Sequence, residues 1–305
     1  MDRLQSMRVF AKVVEQGGFA RAGTVLEMSN AVVTRHVADL EQHLGTRLLN
    51  RTTRKLSLTE TGRHYLERVL RILSDIEDAD ALASASAKKP GGTLRLYCHP
   101  NFGQSQLARL LPRFAAAMPD IVLDVTLADR SVDLVEEGFD AGIFIGVQKF
   151  DSSMIARRLA TSSVIICASP DYIARRGRPQ SPQELSGHDC LNHAFEQVRH
   201  YWPVQCNGQE MRVPIVSKMI SNNNEVLRQA AIAGMGIMLR SSYTLDDDIA
   251  DGRLLRLLPD YCTGRLGVLL VYPSRTLLPG KVRAFVDFMT AAFPDPESDP
   301  WLSTF

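Results

Sequence analysis

Residues 29–41, Ser29-Asn-Ala-Val-Val-Thr-Arg-His-Val-Ala-Asp-Leu-Glu41, decide how this chain is read. Val33, Val37, Leu40 and Leu44 recur at i, i+4, i+7 and i+11, one apolar stripe along a helix. The opposite face carries Asn30, Thr34, Arg35 and His36, side chains that donate or accept hydrogen bonds. Ser29 stands at the N-cap position and Gly45 where a left-handed C′ residue belongs. A polar outer face usually just meets water, so the flanking sequence decides what this one does.

Upstream, Leu4, Met7, Phe10 and Val13 or Val14 mark a first helix, stopped by Gly17-Gly18. Phe19 opens a second helix through Leu26, apolar at Ala22, Val25 and Leu26, with a tight turn at Met28-Ser29 before the third. Helices joined so closely cross steeply, as in a helix-turn-helix, and the second of the pair has the size to enter a major groove. Downstream, Leu56 and Leu58 alternate with polar residues and Thr52-Thr53 offers a turn, so residues 47–59 read as a basic hairpin, or wing. Residues 1–65 hold ten Lys/Arg against six Asp/Glu, a net +4, whereas the whole chain is +1. The basic excess therefore sits at the N-terminal end, where phosphates would be met.

Phe19-Ala-Arg-Ala-Gly-Thr-Val-Leu26, Ser29-Asn-Ala-Val-Val-Thr-Arg-His-Val37, Leu40-Glu-Gln-His-Leu-Gly-Thr-Arg-Leu-Leu-Asn-Arg51 and Leu58-Thr-Glu-Thr-Gly62 resemble the N-terminal domain of LysR-type transcriptional regulators. The resemblance runs almost gap-free over residues 3–65. Gly23 departs from it where a second alanine is common, at a cost of about 1 kcal/mol in helix propensity. Ala31 stands where proline is frequent, removing a rigid first helical residue. The resemblance implies base contacts from Asn30, Ala31, Thr34 and Arg35, an arginine suiting guanine and an amide adenine. Ser29, Arg54 and Lys55 would clamp phosphates, and Arg51 would reach the minor groove.

With 305 residues and 45% hydrophobic content, the chain exceeds one ordinary core. No apolar run approaches the roughly 20 residues that span a bilayer, and the N-terminus lacks a signal-peptide core. The five cysteines, Cys98, Cys167, Cys190, Cys206 and Cys262, are odd in number and scattered, which favours reduced thiols in a cytoplasm. Some relatives use a redox pair, but the spacing here offers no support for one.

From Thr59 to Ala87 the pattern is one long helix, with Leu66, Val69, Leu73, Ile76 and Ala83 on an approximate heptad that needs a partner helix. In relatives this linker helix pairs the subunits. Residues 88–92, Lys88-Lys-Pro-Gly-Gly92, read as a hinge.

Beyond it strands and helices alternate: strand Thr93–Cys98, helix Phe102–Ala117, strand Ile121–Leu127, helix Val132–Glu137 and strand Ala141–Ile145. Strand Val164–Ala168, helix Pro170–Arg176, helix Asn224–Ala233, strand Gly236–Leu239, strand Gly267–Tyr272 and helix Gly280–Phe293 follow. This order argues for a mainly parallel sheet in an α/β domain, with a tail expected to fray after Pro294. Val132-Asp-Leu-Val-Glu-Glu-Gly-Phe-Asp140, Cys167-Ala-Ser-Pro-Asp-Tyr172, Ala233-Gly-Met-Gly-Ile237 and Val271-Tyr-Pro-Ser-Arg275 resemble the effector-binding domain of the same regulators, itself similar to type 2 periplasmic binding proteins. The resemblance implies two α/β lobes joined by crossings near residues 162 and 266, with a small molecule between them.

The expected organisation is therefore α plus α/β. It comprises a winged helix-turn-helix (1–59), a dimerisation helix (60–87), a hinge (88–92), lobe one (93–162 and 267–293), lobe two (163–266) and a tail (294–305). Ligands of open α/β sheets sit outside strand carboxyl ends, beside helix N-termini. Those positions are His99, Asn101 and Phe102, then Asp129 and Arg130, then Phe144 and Gly146, and from lobe two Phe195, Asn222 and Asn223, which lead into Asn224. His99 and Arg130 are candidates for recognising a carboxylate.

An enzyme fits less well. His188-Asp-Cys190 with His193 matches no helix-face geometry for a metal or nucleophile, and Gly234-Met-Gly236 lacks the third glycine and acidic partner of a dinucleotide fingerprint. The sequence thus points to a regulator without cofactor or metal. Its expected partners are promoter duplex, a small carboxylate or aromatic effector, and further copies of itself as a homodimer or homotetramer, with no membrane. The alternative is an architectural DNA-binding protein whose C-terminal domain only oligomerises.

Overall fold

The structure, a computed structural model, describes residues 2–302 except 53–54, 84–89, 147, 149, 207–208 and 275–277. It forms two compact units, Met1–Gly92 and Thr93–Phe305.

In the first unit, α1 (Arg3–Glu15) begins at Asp2, whose carboxylate accepts from the Gln5 amide at 3.1 Å. Its inner face buries Val9, Phe10 and Val13 against Val33, Val37 and Leu40 of α3 (Asn30–Leu44), all without exposure. Between them lies the short α2 (Phe19–Val25), which buries Ala22 and Gly23 but leaves Val25 exposed, contrary to the apolar stripe expected there. A Cβ on Gly23 would sit 2.7 Å from the Met28 carbonyl oxygen, so the tight turn into α3 explains why this chain accepts the propensity cost.

Both expected ends of α3 are present. Ser29 Oγ accepts from the Val32 amide at 3.3 Å, and Gly45 closes the helix at φ 65°. Glu41 then holds the next corner, its Oε1 accepting from Leu48 and Leu49 amides at 2.8 and 3.1 Å. Strands β1 (Leu49–Thr52) and β2 (Lys55–Leu58) pair antiparallel with Leu49 opposite Leu58, forming the wing.

Thr59 caps α4 (Glu60–Ala83) by accepting from Gly62 at 2.8 Å. Val69 is buried, Leu66, Leu73 and Ile76 are half-buried, and Leu70 and Ile72 are exposed. Residues 84–87 of the expected helix lie outside the described residues.

The second unit opens with β3 (Gly92–Cys98). A helical run follows, made of α5 (Pro100–Phe102), a wider π turn (Gly103–Leu107) and α6 (Ala108–Ala117), before β4 (Ile121–Leu127), α7 (Leu134–Glu137) and β5 (Ala141–Ile145). Then come β6 (Met154–Ala168), α8 (Pro170–Arg176), β7 (Asp189–His193), the hairpin β8 (Tyr201–Cys206) and β9 (Gln209–Pro214), and β10 (Val216–Ser221). The chain finishes with α9 (Asn224–Ile232), β11 (Ile237–Ser241), α10 (Asp246–Ala250), β12 (Leu255–Leu257), β13 (Arg265–Pro273) and α11 (Gly280–Ala292).

Strand order is β10-β7-β11-β6-β13-β5-β3-β4, with β12 also on β6. The sheet is mixed, which corrects the expectation of a mainly parallel one. β3–β5, β7–β10 and β7–β11 run parallel, but β6 and β13 run antiparallel to each other and to their other neighbours.

The cause is β6, whose 15 residues pass from one lobe to the other. Its first part pairs with β13 and its last residues with β11 and β12. The sequence pointed only to Val164–Ala168, because Arg157-Arg158 and Thr161-Ser-Ser163 break the apolar run. At the passage, Arg265, Leu266 and Gly267 oppose Ser163, Ser162 and Thr161.

Lobe one packs Leu94, Leu96, Phe114, Phe285 and Met289 into one core, and lobe two packs Trp202, Tyr172 and Ile166 on one sheet face and Leu191, Leu227 and Met238 on the other. Through residue 302 the tail does not fray. Trp301 is 5% exposed among Phe102, Tyr243 and Phe293, and Asp299 accepts from the Ser163 amide at 2.6 Å and from Ser242 Oγ at 2.9 Å. Burial of one indole outweighs the entropy of a short tail.

Candidate DNA-reading helix and inter-lobe cleft

On α3 the buried stripe fixes which residues face outward. Ser29, Asn30, Ala31 and Arg35 are exposed at its N-terminal half, the Arg35 side chain being 84% accessible with Asp39 3.9 Å away. Thr34 is half-buried, and its hydroxyl donates to the Asn30 carbonyl at 2.8 Å. His36 does not join this face, because Nδ1 lies 3.0 Å from Ser6 Oγ on α1. Val32, 43% exposed beside Ala31, is a further outward residue, and an apolar side chain there suits a thymine methyl. Arg51 and Lys55 lie on the wing strands with undescribed side chains, and Arg54 lies outside the described residues.

In the second unit, strand ends from both lobes meet at a cavity of about 460 Å³. His99 after β3, Asn101 on α5, Asp129 after β4, Phe195 after β7, and Asn222 and Asn223 before α9 all line it, as does Asn224. An adjoining hollow of about 210 Å³ shares Asn101, Asn224 and Glu225 and adds Arg240 at its wall.

Four expected residues fall elsewhere. Phe102 is fully buried in the lobe-one core, since helical spacing turns it inward when Asn101 faces the cleft. Phe144 is 5% exposed, packed 5.3 Å from Tyr97 and 5.1 Å from Phe150. Arg130 is claimed by a nearer carboxylate, Glu137 at 2.6 Å, whose hydrogen bond raises its pKa. Gly146 lines a separate hollow with Arg158 and Arg265.

The electrostatics of the cleft follow from burial. His99 Nε2 lies 3.5 Å from Asp129 Oδ1, yet burial lowers the His99 pKa, with Asp129 opposing and Arg240 adding to the fall. His193, missing from the expected site, stacks on Phe195 with ring centroids 3.9 Å apart. Burial lowers its pKa as well, and Nδ1 accepts from the Phe195 amide at 3.3 Å, which leaves Nε2 as the donor of a neutral ring. Asn223 accepts from the Glu225 and Val226 amides at 2.9 and 3.1 Å and so caps α9.

His193, Gln104, Glu225 and Arg240 escaped the sequence reading. Arg240 stands one residue beyond the expected strand Gly236–Leu239, and His193 lies in sequence beside His188 and Cys190, which suggest a different chemistry.

That other constellation does not assemble. His188 Nδ1 bonds Tyr172 at 3.1 Å, and Cys190 is buried with its thiol pushed up to about 12. Among the described residues no group of three His, Cys, Asp or Glu side chains could hold a metal, and no helix is long and apolar enough to cross a membrane. Gly234, at φ 78°, turns α9 into β11.

A family model described as bacterial regulatory helix-turn-helix protein, lysR family, matches residues 4–63, and one described as LysR substrate binding domain matches residues 87–294. The chain is 36% identical over 284 residues to an uncharacterized HTH-type transcriptional regulator of Haemophilus influenzae, covering 92% of this chain and 98% of that one. It is 36% identical over 295 residues to the HTH-type transcriptional regulator DmlR of Escherichia coli, covering 95% and 94%. The structure of CrgA, a LysR-type transcriptional regulator from Neisseria meningitidis, matches with a TM-score of 0.62 at 34% identity over 95% of this chain and 99% of that chain. This chain belongs to the LysR family of helix-turn-helix transcriptional regulators, with a DNA-binding N-terminal domain and an effector-binding C-terminal domain.

Proposed function

We propose that the chain reads promoter DNA through α3 and changes its occupancy or activity when a small molecule binds between the lobes. Asn30, Ala31, Thr34 and Arg35 meet base edges, and Ser29, Arg51, Arg54 and Lys55 meet the backbone. The observation that carries this is the division of α3, with Val33, Val37 and Leu40 fully buried and Arg35 84% accessible. Two copies pair through the half-buried Leu73 and Ile76 of α4, beside the exposed Leu70 and Ile72. Among the described residues Cys98, Cys167, Cys190 and Cys262 are free thiols, which suits a reducing cytoplasm. The proposed cleft residues are His99, Asn101, Asp129, Phe195, Asn222 and Asn223.

Selection from random duplexes tests the DNA reading: wild type should enrich one motif that Arg35→Ala fails to enrich. A metabolite screen on binding to that motif tests the effector reading. Enrichment of no motif would favour an architectural protein instead.

A further inference from the structure

Three arginines reach the smaller hollow, and two of them are matched by acids. Arg109 pairs with Asp247, and Arg228 Nη2 bonds Asp248 at 2.7 Å. Arg240 on β11 has no such match. It is 8% exposed, its Nε has no hydrogen-bond partner, and no carboxylate among the described residues forms an ion pair with it. Glu225 acts on it only through space and is already bonded to Arg228 at 2.8 Å and Gln229 at 2.7 Å. Burying a guanidinium without an anion costs far more than burying a neutral polar group, and an isosteric apolar residue would avoid that cost. A fold keeps such a charge where its partner arrives from outside.

The position suits that role. Arg240 lines the smaller hollow, which shares Asn101, Gln104, Asn224 and Glu225 with the larger cavity. His99 Nδ1 is a second buried polar atom there without a partner.

We propose that the inter-lobe cleft takes a small organic carboxylate whose carboxylate group seats on the Arg240 guanidinium. The planar fork matches a carboxylate in two parallel hydrogen bonds. One unmatched cation, with Asp129 and Glu225 at the rim, suits a single negative charge better than the two of a phosphate. Asn101, Gln104 and Asn222 are left for the ligand's uncharged polar groups, and Phe195 covers its outer end. This inference rests on the effector role proposed for the cleft.

The test is thermal melting of the full-length protein with sodium acetate, lactate and benzoate, each beside its primary amide, and with inorganic phosphate at equal ionic strength. At least one carboxylate should raise the melting temperature saturably, and its amide should not. Arg240→Met should weaken that carboxylate by roughly a hundredfold, and without additive it should melt higher than wild type. Arg240→Lys, which keeps the charge and loses the fork, should retain part of the shift and serves if the methionine variant does not fold.

Equal stabilisation by acid and amide overturns the anionic class while leaving the cleft a binding site. Phosphate acting as strongly as the carboxylates overturns the choice of carboxylate. A carboxylate shift that survives Arg240→Met overturns the anchor. If no probe stabilises wild type but metabolites still alter its DNA binding, the anchor alone falls. If that response is missing too, the effector reading falls with it.

Discussion

Arg35 on α3 and Arg240 on β11 present the same guanidinium in opposite settings. Arg35 is 84% accessible and water solvates its charge, so waiting for a base edge costs the free protein almost nothing. Arg240 is 8% exposed and unmatched, so its charge strains the unliganded domain continuously. An exposed recognition group can therefore change without touching stability, whereas a buried one ties recognition to stability. The same contrast separates Phe195 at the cleft rim from Phe144 in a satellite core, at 55% and 5% exposure.

That phenylalanine pair gives the largest expected effect. Phe144→Ala should cost about 3–5 kcal/mol, read as a lower denaturant midpoint, because it opens a cavity beside Tyr97 and Phe150. Phe195→Ala should cost less than about 0.5 kcal/mol and instead weaken small-molecule binding. Equal stability losses would erase the distinction between core and rim.

Next comes the seam of α4. Glutamates at Leu73 and Ile76 would set like charges against a symmetry-related copy and cost several kcal/mol of association. Sedimentation of the full chain should show weaker self-association, and an unchanged state would move the seam elsewhere. Smaller again, Arg35→Ala should cost about 1–3 kcal/mol on a cognate duplex and little on random DNA, with the melting temperature held. A comparable loss on both duplexes would assign Arg35 to the backbone.

The smallest effect is a pH dependence. His99 and His193 are held below the ordinary histidine value near 6.5, chiefly by burial, so the unfolded chain takes up their protons first as pH falls. Their contribution is fully present above that value and is lost as pH falls through the lower folded values. Melting between pH 7.5 and 5 should show this decline, and His99→Asn should flatten part of it. An unchanged slope would remove His99 from the buried set.

Local chemistry was legible in the sequence. Ser29 and Gly45 bound α3 because caps depend on neighbours in the chain, and strand ends located His99, Asn101, Asp129, Phe195, Asn222 and Asn223 by rule. What failed depended on partners distant in sequence or on choices between faces. Arg130 looked free until α7 supplied Glu137, and Phe144 looked like a pocket wall until Tyr97 and Phe150 enclosed it. Arg240 stands just past the expected strand Gly236–Leu239, and no pattern in one dimension reveals that a charge is buried unmatched. The passage of β6 between lobes was shortened for a related reason: its polar middle bonds to β13 and to the tail instead of facing an apolar core.

The anchored tail bears on how fragments of this chain should be cut. The LysR substrate-binding match ends at residue 294, before Asp299 and Trp301. A regulatory fragment trimmed there would uncover Phe102, Tyr243 and Phe293 together, leaving an aromatic patch that invites aggregation. It would also free Ser163 and Ser242, which Asp299 ties together where β6 passes between the lobes, so any ligand-induced motion measured on it would be that of an unpinned joint. Fragments meant for crystallisation or titration should run through residue 302, with affinity tags kept clear of that end.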